Sequence, residues 1–548
     1  MIKINNKVKQ NLNAWSVLSF IFIMLIILPN LNILGGIFSP ANENWQHIKT
    51  FLLQDYIINT LKLVVFAGIF TILLGTSLSW LISAFDFPLR NFFKWSLVLS
   101  LAIPPYIAAY TYNGLLNYTG IIQTFLRSTL HLQINQKYFD IMSEKGAIFI
   151  FTMCLFPYVY TITQAFLEKQ SAALIENARI LGRSPLEIFF YIIIPVSRAA
   201  IVGGTSLVIL EVLNDYGVVK YFGIPTFSTA IFQTWFAFGD IDSAIRLSAV
   251  LLLMVFVILF LEKILRGRKK FSFTTTKIRP ITRQKLIGIK GMIAFSYCLI
   301  VFSLGFLIPT LQLIYWSLLT YEKILNAKFL SLLANTVFIS LLAAGLIVII
   351  AVVIANYCRI SGGTAAKIYS KVTTLGYSIP GAVIAIAVIV FFINLDHRLY
   401  WLYKFLNPET GKLILSTSLV MLTFAYVIRF LAIGFNSIES GFEKNGVGFF
   451  EASRTLGMNI TETFWKIDLP MIKPAVISGF LLVFVDILKE LPLTLILRPF
   501  NFDTLATKAF EYANDEMIHE ASIASLFIIA VSIIAIYFFY KTGDKEAK

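Results

Sequence analysis

Charge is what this chain has least of: only 14% of its 548 residues are Asp, Glu, Lys or Arg, against 58% hydrophobic and 15% aromatic. With a mean hydropathy of +0.79, it has too little polar surface to coat a water-soluble globule, which excludes that class and makes lipid the main solvent. Cysteine is nearly absent. Cys154, Cys298 and Cys358 fall in or beside apolar stretches, with no CxxC pair and no metal-site spacing, and read as packing residues. The four histidines, His47, His131, His397 and His519, lie far apart in the polar segments, so they read as solvated loop residues rather than a metal centre. A phosphate loop is also missing: Gly411-Lys412 lacks the earlier glycine of G-x-x-x-x-G-K-[ST] and is followed by Leu413. Any ATP used must be hydrolysed by another polypeptide. A membrane-embedded enzyme would need a nucleophile or metal constellation at the water interface, and the sequence offers neither.

Acidic residues are short as well, 30 against 45 Lys and Arg, for a formal net charge of +15. The stretch Leu265 to Lys290 holds Arg266, Arg268, Lys269, Lys270, Lys277, Arg279, Arg283, Lys285 and Lys290 and no acidic residue. A basic run of this kind could be a lipid or nucleic-acid patch, but the enrichment of Lys and Arg in cytoplasmic segments of membrane proteins accounts for it without a nucleic-acid partner. It reads as a basic cytoplasmic linker, 265–290, between a first half, 1–264, and a second, 291–548.

What the sequence has in quantity is apolar runs. A spanning helix needs about 20 apolar residues, and such runs fall near 15–34, 57–84, 95–116, 146–167, 196–214 and 243–264, then near 292–318, 332–356, 372–394, 413–437, 474–491 and 520–540. The expected fold is an all-α polytopic membrane protein of about twelve transmembrane helices. Lys3, Lys7 and Lys9 before the first run suggest a signal peptide, but no small-residue cleavage site follows, so the run reads as an uncleaved span. The charge bias then puts both termini in the cytoplasm. Prolines Pro104, Pro105 and Pro380 are expected to kink helices in mid-span.

The halves repeat. Asn59-Thr60 recurs as Asn335-Thr336, Ile103-Pro104 as Ile379-Pro380 and Gly182 as Gly457, at an offset of 275 to 276 residues. Two six-span halves in the same orientation imply a pseudo-two-fold axis along the membrane normal. In a loop near 168–195, Glu176-Asn177-Ala178 is followed after three residues by Gly182 and, after nine more, by Ile192, Ile194 and Pro195. Near 438–473 the same spacing carries Glu451-Ala452-Ser453, Gly457, Ile467, Leu469 and Pro470. The pattern describes a short helix ended by a glycine at φ > 0 and a second short helix stopped by a proline, an L-shaped loop able to press one face into a partner.

This doubled motif resembles the E-A-A, three, G, nine, I-x-L-P signature of permease subunits of binding-protein-dependent ABC importers. Asn177 and Ser453 depart from the alanines of that pattern, though both are small. The resemblance implies the type I importer permease fold in the bacterial inner membrane, with the loops seated on ATP-binding subunits. It carries that coupling role onto Glu176, Ala178, Gly182, Pro195, Glu451, Ala452, Gly457 and Pro470, and implies two ATP-binding cassette partners, ATP used by those subunits, and no cofactor on this chain. A secondary, ion-coupled transporter would share the apolar repeats but has no use for two docking loops.

Further stretches are similar to the fused iron(III) branch of the family: Lys489-Glu490-Leu491-Pro492, Arg498-Pro499-Phe500-Asn501-Phe502-Asp503-Thr504-Leu505-Ala506, Asp215-Tyr216-Gly217 and Gly223-Ile224-Pro225-Thr226-Phe227. The resemblance implies iron(III) handed over by a periplasmic ferric binding protein; relatives for thiamine, polyamines and phosphonates share part of the pattern. Glu211 and Asp215 are four apart, as are their repeat partners Asp486 and Glu490, so each pair is expected on one helix face in the outer third of the membrane. Charges there are costly unless they face an aqueous cavity or a partner, which makes these four the candidate translocation pathway. Hard trivalent iron favours oxygen ligands, yet pairing with Lys489 or contact with a docked binding protein would serve equally, and no metal ligand is assigned.

Overall fold

The computed structural model describes residues 13–36, 41–132, 135–168, 173–266, 282–407, 409 and 411–546, with side chains described except in 30–36, 173–174 and 539–546. Most of the basic stretch at 265–290 lies outside these residues. The first half runs through α1 (Ala14–Gly36), α2 (Glu43–Ala84), α3 (Arg90–Ala102), α4 (Pro105–Ser128), α5 (Glu144–Glu168), α6 (Ala173–Ile180), α7 (Pro185–Asn214), α8 (Gly217–Tyr221), α9 (Phe227–Phe236) and α10 (Ile241–Arg266). The second runs through α11 (Ile289–Ile324), α12 (Ala327–Ser361), α13 (Thr364–Leu375), α14 (Gly381–Leu406), α15 (Leu419–Asn445), α16 (Gly448–Thr455), α17 (Ile460–Leu488), α18 (Pro492–Leu497), α19 (Leu505–Asn514) and α20 (Ile518–Glu546). The described strand consists of two parallel pairs, Phe85–Asp86 (β1) with Gln284–Lys285 (β2).

Ten helices among the described residues are long and apolar enough to cross a membrane, or eleven if the bent pair α3 and α4 is one span. The expected first span falls on α1, which is apolar over the shorter stretch Ala14–Pro29. Leu, Ile, Val and Phe on the outer faces, such as Phe338, Ile349, Phe256 and Phe260, stay exposed in the isolated chain. Lipid is the solvent that such a surface fits.

Proline behaves differently from expectation. Pro104 lies between α3 and α4, which meet at 92°, and Pro380 precedes the first residue of α14. Both have the same extended backbone, φ −57° with ψ 141° and 142°. A ring that cannot donate or continue a helix backward starts a new one instead. These prolines break helices rather than kink them.

Two compact units emerge, and they exchange helices between the sequence halves. One comprises residues 1–45, 231–252 and 327–507, the other 46–230, 253–326 and 508–548. In the second, α2, α5 and α7 form the packed centre and α11 packs on α20. Small residues let the centre close up: a Cβ on Gly75 or Gly204 would stand 2.6 Å from Val159 Cβ or 2.7 Å from Val159 Cα, as in close-packed membrane helices generally. In the first unit the repeat counterparts α12, α15 and α17 form the centre, with α1 packed against α12, α13 and α14. Cys154 and Cys298 are buried, Cys358 is partly so, and all three are free thiols. His47, His397 and His519 lie on exposed helix surface rather than in loops.

Candidate functional site

The two loops fold to the same hydrogen-bond scheme. After α6, Gly182 takes φ +75°, its N–H donates to Arg179 O at 3.0 Å, and Arg183 N–H donates to Ala178 O at 3.0 Å. After α16, Gly457 takes φ +87°, donates to Arg454 O at 3.1 Å, and Met458 N–H donates to Ser453 O at 3.2 Å. This nested pair of bonds closes a helix on a left-handed residue, where glycine alone avoids a Cβ penalty. The chain then turns into a capping box: Ser184 accepts from Glu187 N–H at 3.3 Å while Glu187 accepts from Ser184 N–H at 2.8 Å. Asn459 and Glu462 do the same at 2.8 and 3.0 Å. Four orphan helix-end groups per loop are thereby satisfied without outside help.

The expected stop at Pro195 and Pro470 does not occur. Each loop's second helix runs on as α7 or α17, passing through a π-turn at Phe189–Ile193 or Phe464–Asp468 that ends two residues before the proline. A third such turn, Ser303–Leu307, precedes Pro309 in α11. Proline removes one N–H and crowds the carbonyl four residues back; widening the preceding turn accommodates the ring and keeps the helix whole. The loop's second arm is therefore continuous with a membrane-length helix.

Ala178 and Ser453 are buried beneath their elbows, whereas Ala452, Glu451, Pro195 and Pro470 are exposed. Glu176 accepts from Thr282 Oγ1 at 3.2 Å. Sequence reading missed two residues: Leu181 and Leu456, each immediately before the glycine, project with 80% and 82% of their surface exposed. Their shared place one residue before the glycine in both copies was the available signal.

The acidic pairs do not share helix faces. Helix α7 ends at Asn214, and the Asp215 carboxylate accepts from the N–H groups of Val218 at 2.9 Å and Val219 at 3.3 Å in the first turn of α8. Glu490 likewise lies past the end of α17 and accepts from Leu493 N–H at 3.1 Å in α18. A carboxylate beside free helix N–H groups is favoured there, and this is what ends each long helix. Glu490 also stands 3.5 Å from buried Arg429, and Asp486 pairs with Lys489 at 2.8 Å. Glu211 stays on α7.

Comparison with known proteins places these features. Residues 72–270 and 347–546 each match the family described as binding-protein-dependent transport system inner membrane component. The chain belongs to this family. Each matched segment contains one of the two loops, so the family domain occurs twice in one polypeptide, and the chain is a multi-pass inner membrane transport permease. Among its relatives is the Fe(3+)-transport system permease protein FbpB 2 of Haemophilus influenzae, 27% identical over 90% of this chain and 91% of that protein. The spermidine/putrescine transport system permease protein PotB of Escherichia coli is 24% identical over 37% of this chain and 76% of its own length. The putative 2-aminoethylphosphonate transport system permease protein PhnU of Salmonella choleraesuis is 25% identical over 34% of this chain and 65% of its own. In this permease no group of three or more His, Cys, Asp or Glu side chains is arranged to hold a metal ion among the described residues.

Proposed function

We propose that the chain is the whole membrane pathway of an ATP-driven importer for iron(III), supplied by a ferric binding protein outside and driven by two separate ATP-binding subunits inside. The observation that carries the substrate is coverage. The iron permease matches nine-tenths of both chains, while the polyamine and phosphonate permeases match about a third of this one. The two loops are the seats for the ATP-binding subunits, with Leu181 and Leu456 as apolar knobs and Gly182 and Gly457 setting the elbow. Glu176, Ala178, Glu451 and Ala452 shape the docking helices, and Pro195 and Pro470 carry motion into the spans. Both termini are cytoplasmic, no cofactor resides on this chain, and ATP is consumed by its partners.

Glu211, Asp215, Asp486 and Glu490 lie near the external ends of α7 and α17, where oxygen ligands suit a hard trivalent ion in transit. The test is reconstitution with the ATP-binding subunit and the binding protein loaded with iron, thiamine, spermidine or 2-aminoethylphosphonate. Iron is expected to stimulate ATP hydrolysis and to accumulate inside. Stimulation by one of the other three with none by iron would overturn the substrate.

A further inference from the structure

The two docking loops have the same backbone but different anchorage. At the second, the Arg359 guanidinium at the end of α12 meets Asp468 in the π-turn of α17 with both carboxylate oxygens, at 3.0 and 2.5 Å. Its flat face lies 4.4 Å from the Phe442 ring of α15 and 5.1 Å from the Phe450 ring of the docking helix α16. The arginine and aspartate side chains are only 10% and 4% exposed. One side chain therefore ties α12, α15, α16 and α17 at the base of the loop. Ser453 and Thr463 add a buried hydroxyl pair at 2.8 Å inside the elbow, and the Trp15 ring packs 4.7 Å from Phe464.

None of these polar groups is present at the repeat positions of the first loop. At the offsets of 275 and 276, Arg359 corresponds to Ser83, Asp468 to Ile193, Ser453 to Ala178 and Thr463 to Ile188. Among the described residues, the docking helix α6 has instead an exposed hydrogen bond from Thr282 to Glu176, and the helix before it ends in a partly exposed ion pair, Glu168 with Lys94 at 2.9 Å. A buried bidentate pair stacked on two rings fixes both the distance and the angle between its elements, whereas an exposed single bond restrains neither strongly.

We infer that the two ATPase seats are mechanically unequal, and that Arg359 is the positioning residue that makes the second loop the stiff one. The stroke of the ATP-binding subunits is transmitted faithfully through α16 into α17, while α6 follows with play. This rests on the coupling role proposed for the loops; a wild-type complex that does not link ATP hydrolysis to uptake would sink that role and leave the loops' unequal stiffness to be read separately from hydrogen exchange.

The test compares Arg359→Ala, Arg359→Lys and Ser83→Ala in the reconstituted complex with its ATP-binding subunit and iron-loaded binding protein. Measured are membrane levels, hydrogen exchange of 448–463 and 173–188, and labelled iron transported per ATP hydrolysed. Arg359→Ala is expected at normal levels, with exchange in 448–463 about tenfold faster, 173–188 unchanged, and transport per ATP at least fivefold lower. Lysine keeps the charge but loses the fork and the stacking, and should fall in between; Ser83→Ala should match wild type. An unchanged transport ratio in Arg359→Ala, or equal acceleration of both loops, would overturn the inference. If the alanine variant fails to accumulate, the lysine variant decides. A lowered ratio upholds the positioning role; a wild-type ratio, or failure to accumulate, overturns it.

Discussion

Replacing Gly182 and Gly457 by valine isolates the elbow from everything else in the protein. At both positions nothing lies within 4 Å of an added Cβ, so the substitution creates no clash and its whole effect is on the backbone. Holding a β-branched residue at φ +75° or +87° costs about 1–2 kcal/mol at each site. That is enough to shift the elbow's population by a factor of about 5–30, and it is small beside the apolar burial of the spans. The double variant should reach the membrane at normal levels, retain less ATP-binding subunit on co-purification, and lose most uptake, with each single variant in between. Asparagine tolerates the left-handed region, so Gly182→Asn with Gly457→Asn should keep most activity. Immunoblots of membranes, co-purification and an uptake assay suffice. Wild-type uptake in the double valine variant would refute the reasoning that these elbows transmit force.

Gly204→Val is the opposite case, because its Cβ would stand 2.7 Å from Val159 Cα; it should deplete the protein from the membrane, and normal levels would contradict the close packing of α5 and α7. Asp215→Asn with Glu490→Gln keeps acceptors for the α8 and α18 N–H groups but removes both charges, so reduced iron uptake at normal membrane levels is expected if charge serves transit, and wild-type uptake would reduce these residues to helix caps. Buried Asp396 accepts from Tyr403 Oη, Leu415 N, Ser416 N and Ser416 Oγ at 2.6 to 3.1 Å; Asp396→Ala should cost about 2–5 kcal/mol and open 411–418 to protease, and unaltered cleavage would show that this anchor is dispensable. Two loops in one chain predict one permease polypeptide per two ATP-binding subunits; two permease chains per pair in purified complex would contradict it.

The spans were legible because an apolar run of membrane length has one physical solution in lipid, and the positive φ at Gly182 and Gly457 followed from a glycine placed where a helix must end. Helix ends were not. Helix α7 begins at Pro185, eleven residues before its apolar run, because the intervening turn is amphipathic and its proline is absorbed by a π-turn that no residue pattern announces. Asp215 and Glu490 were read onto helices that stop just before them, since the bonds that end those helices are made by the same carboxylates. The tie between Arg359 and Asp468 spans 109 residues of sequence, and only the packing of four helices brings its partners together.

The exchange of leading helices also has a consequence in time. The chain emerges from its N-terminus, and α1 packs on α12 and α14, of which α12 begins only at Ala327. From Gly36 to Ala327 is 327 − 36 = 291 residues, which at about 5–20 residues per second is roughly 15–60 s of synthesis. For that interval α1 stays in the bilayer with the helices it packs on still unmade. A water-soluble domain so arranged would expose an apolar face to aggregation throughout, but lipid solvates that face as well as protein does, so the helix can wait. The bilayer thus acts as a holding chaperone for this early segment.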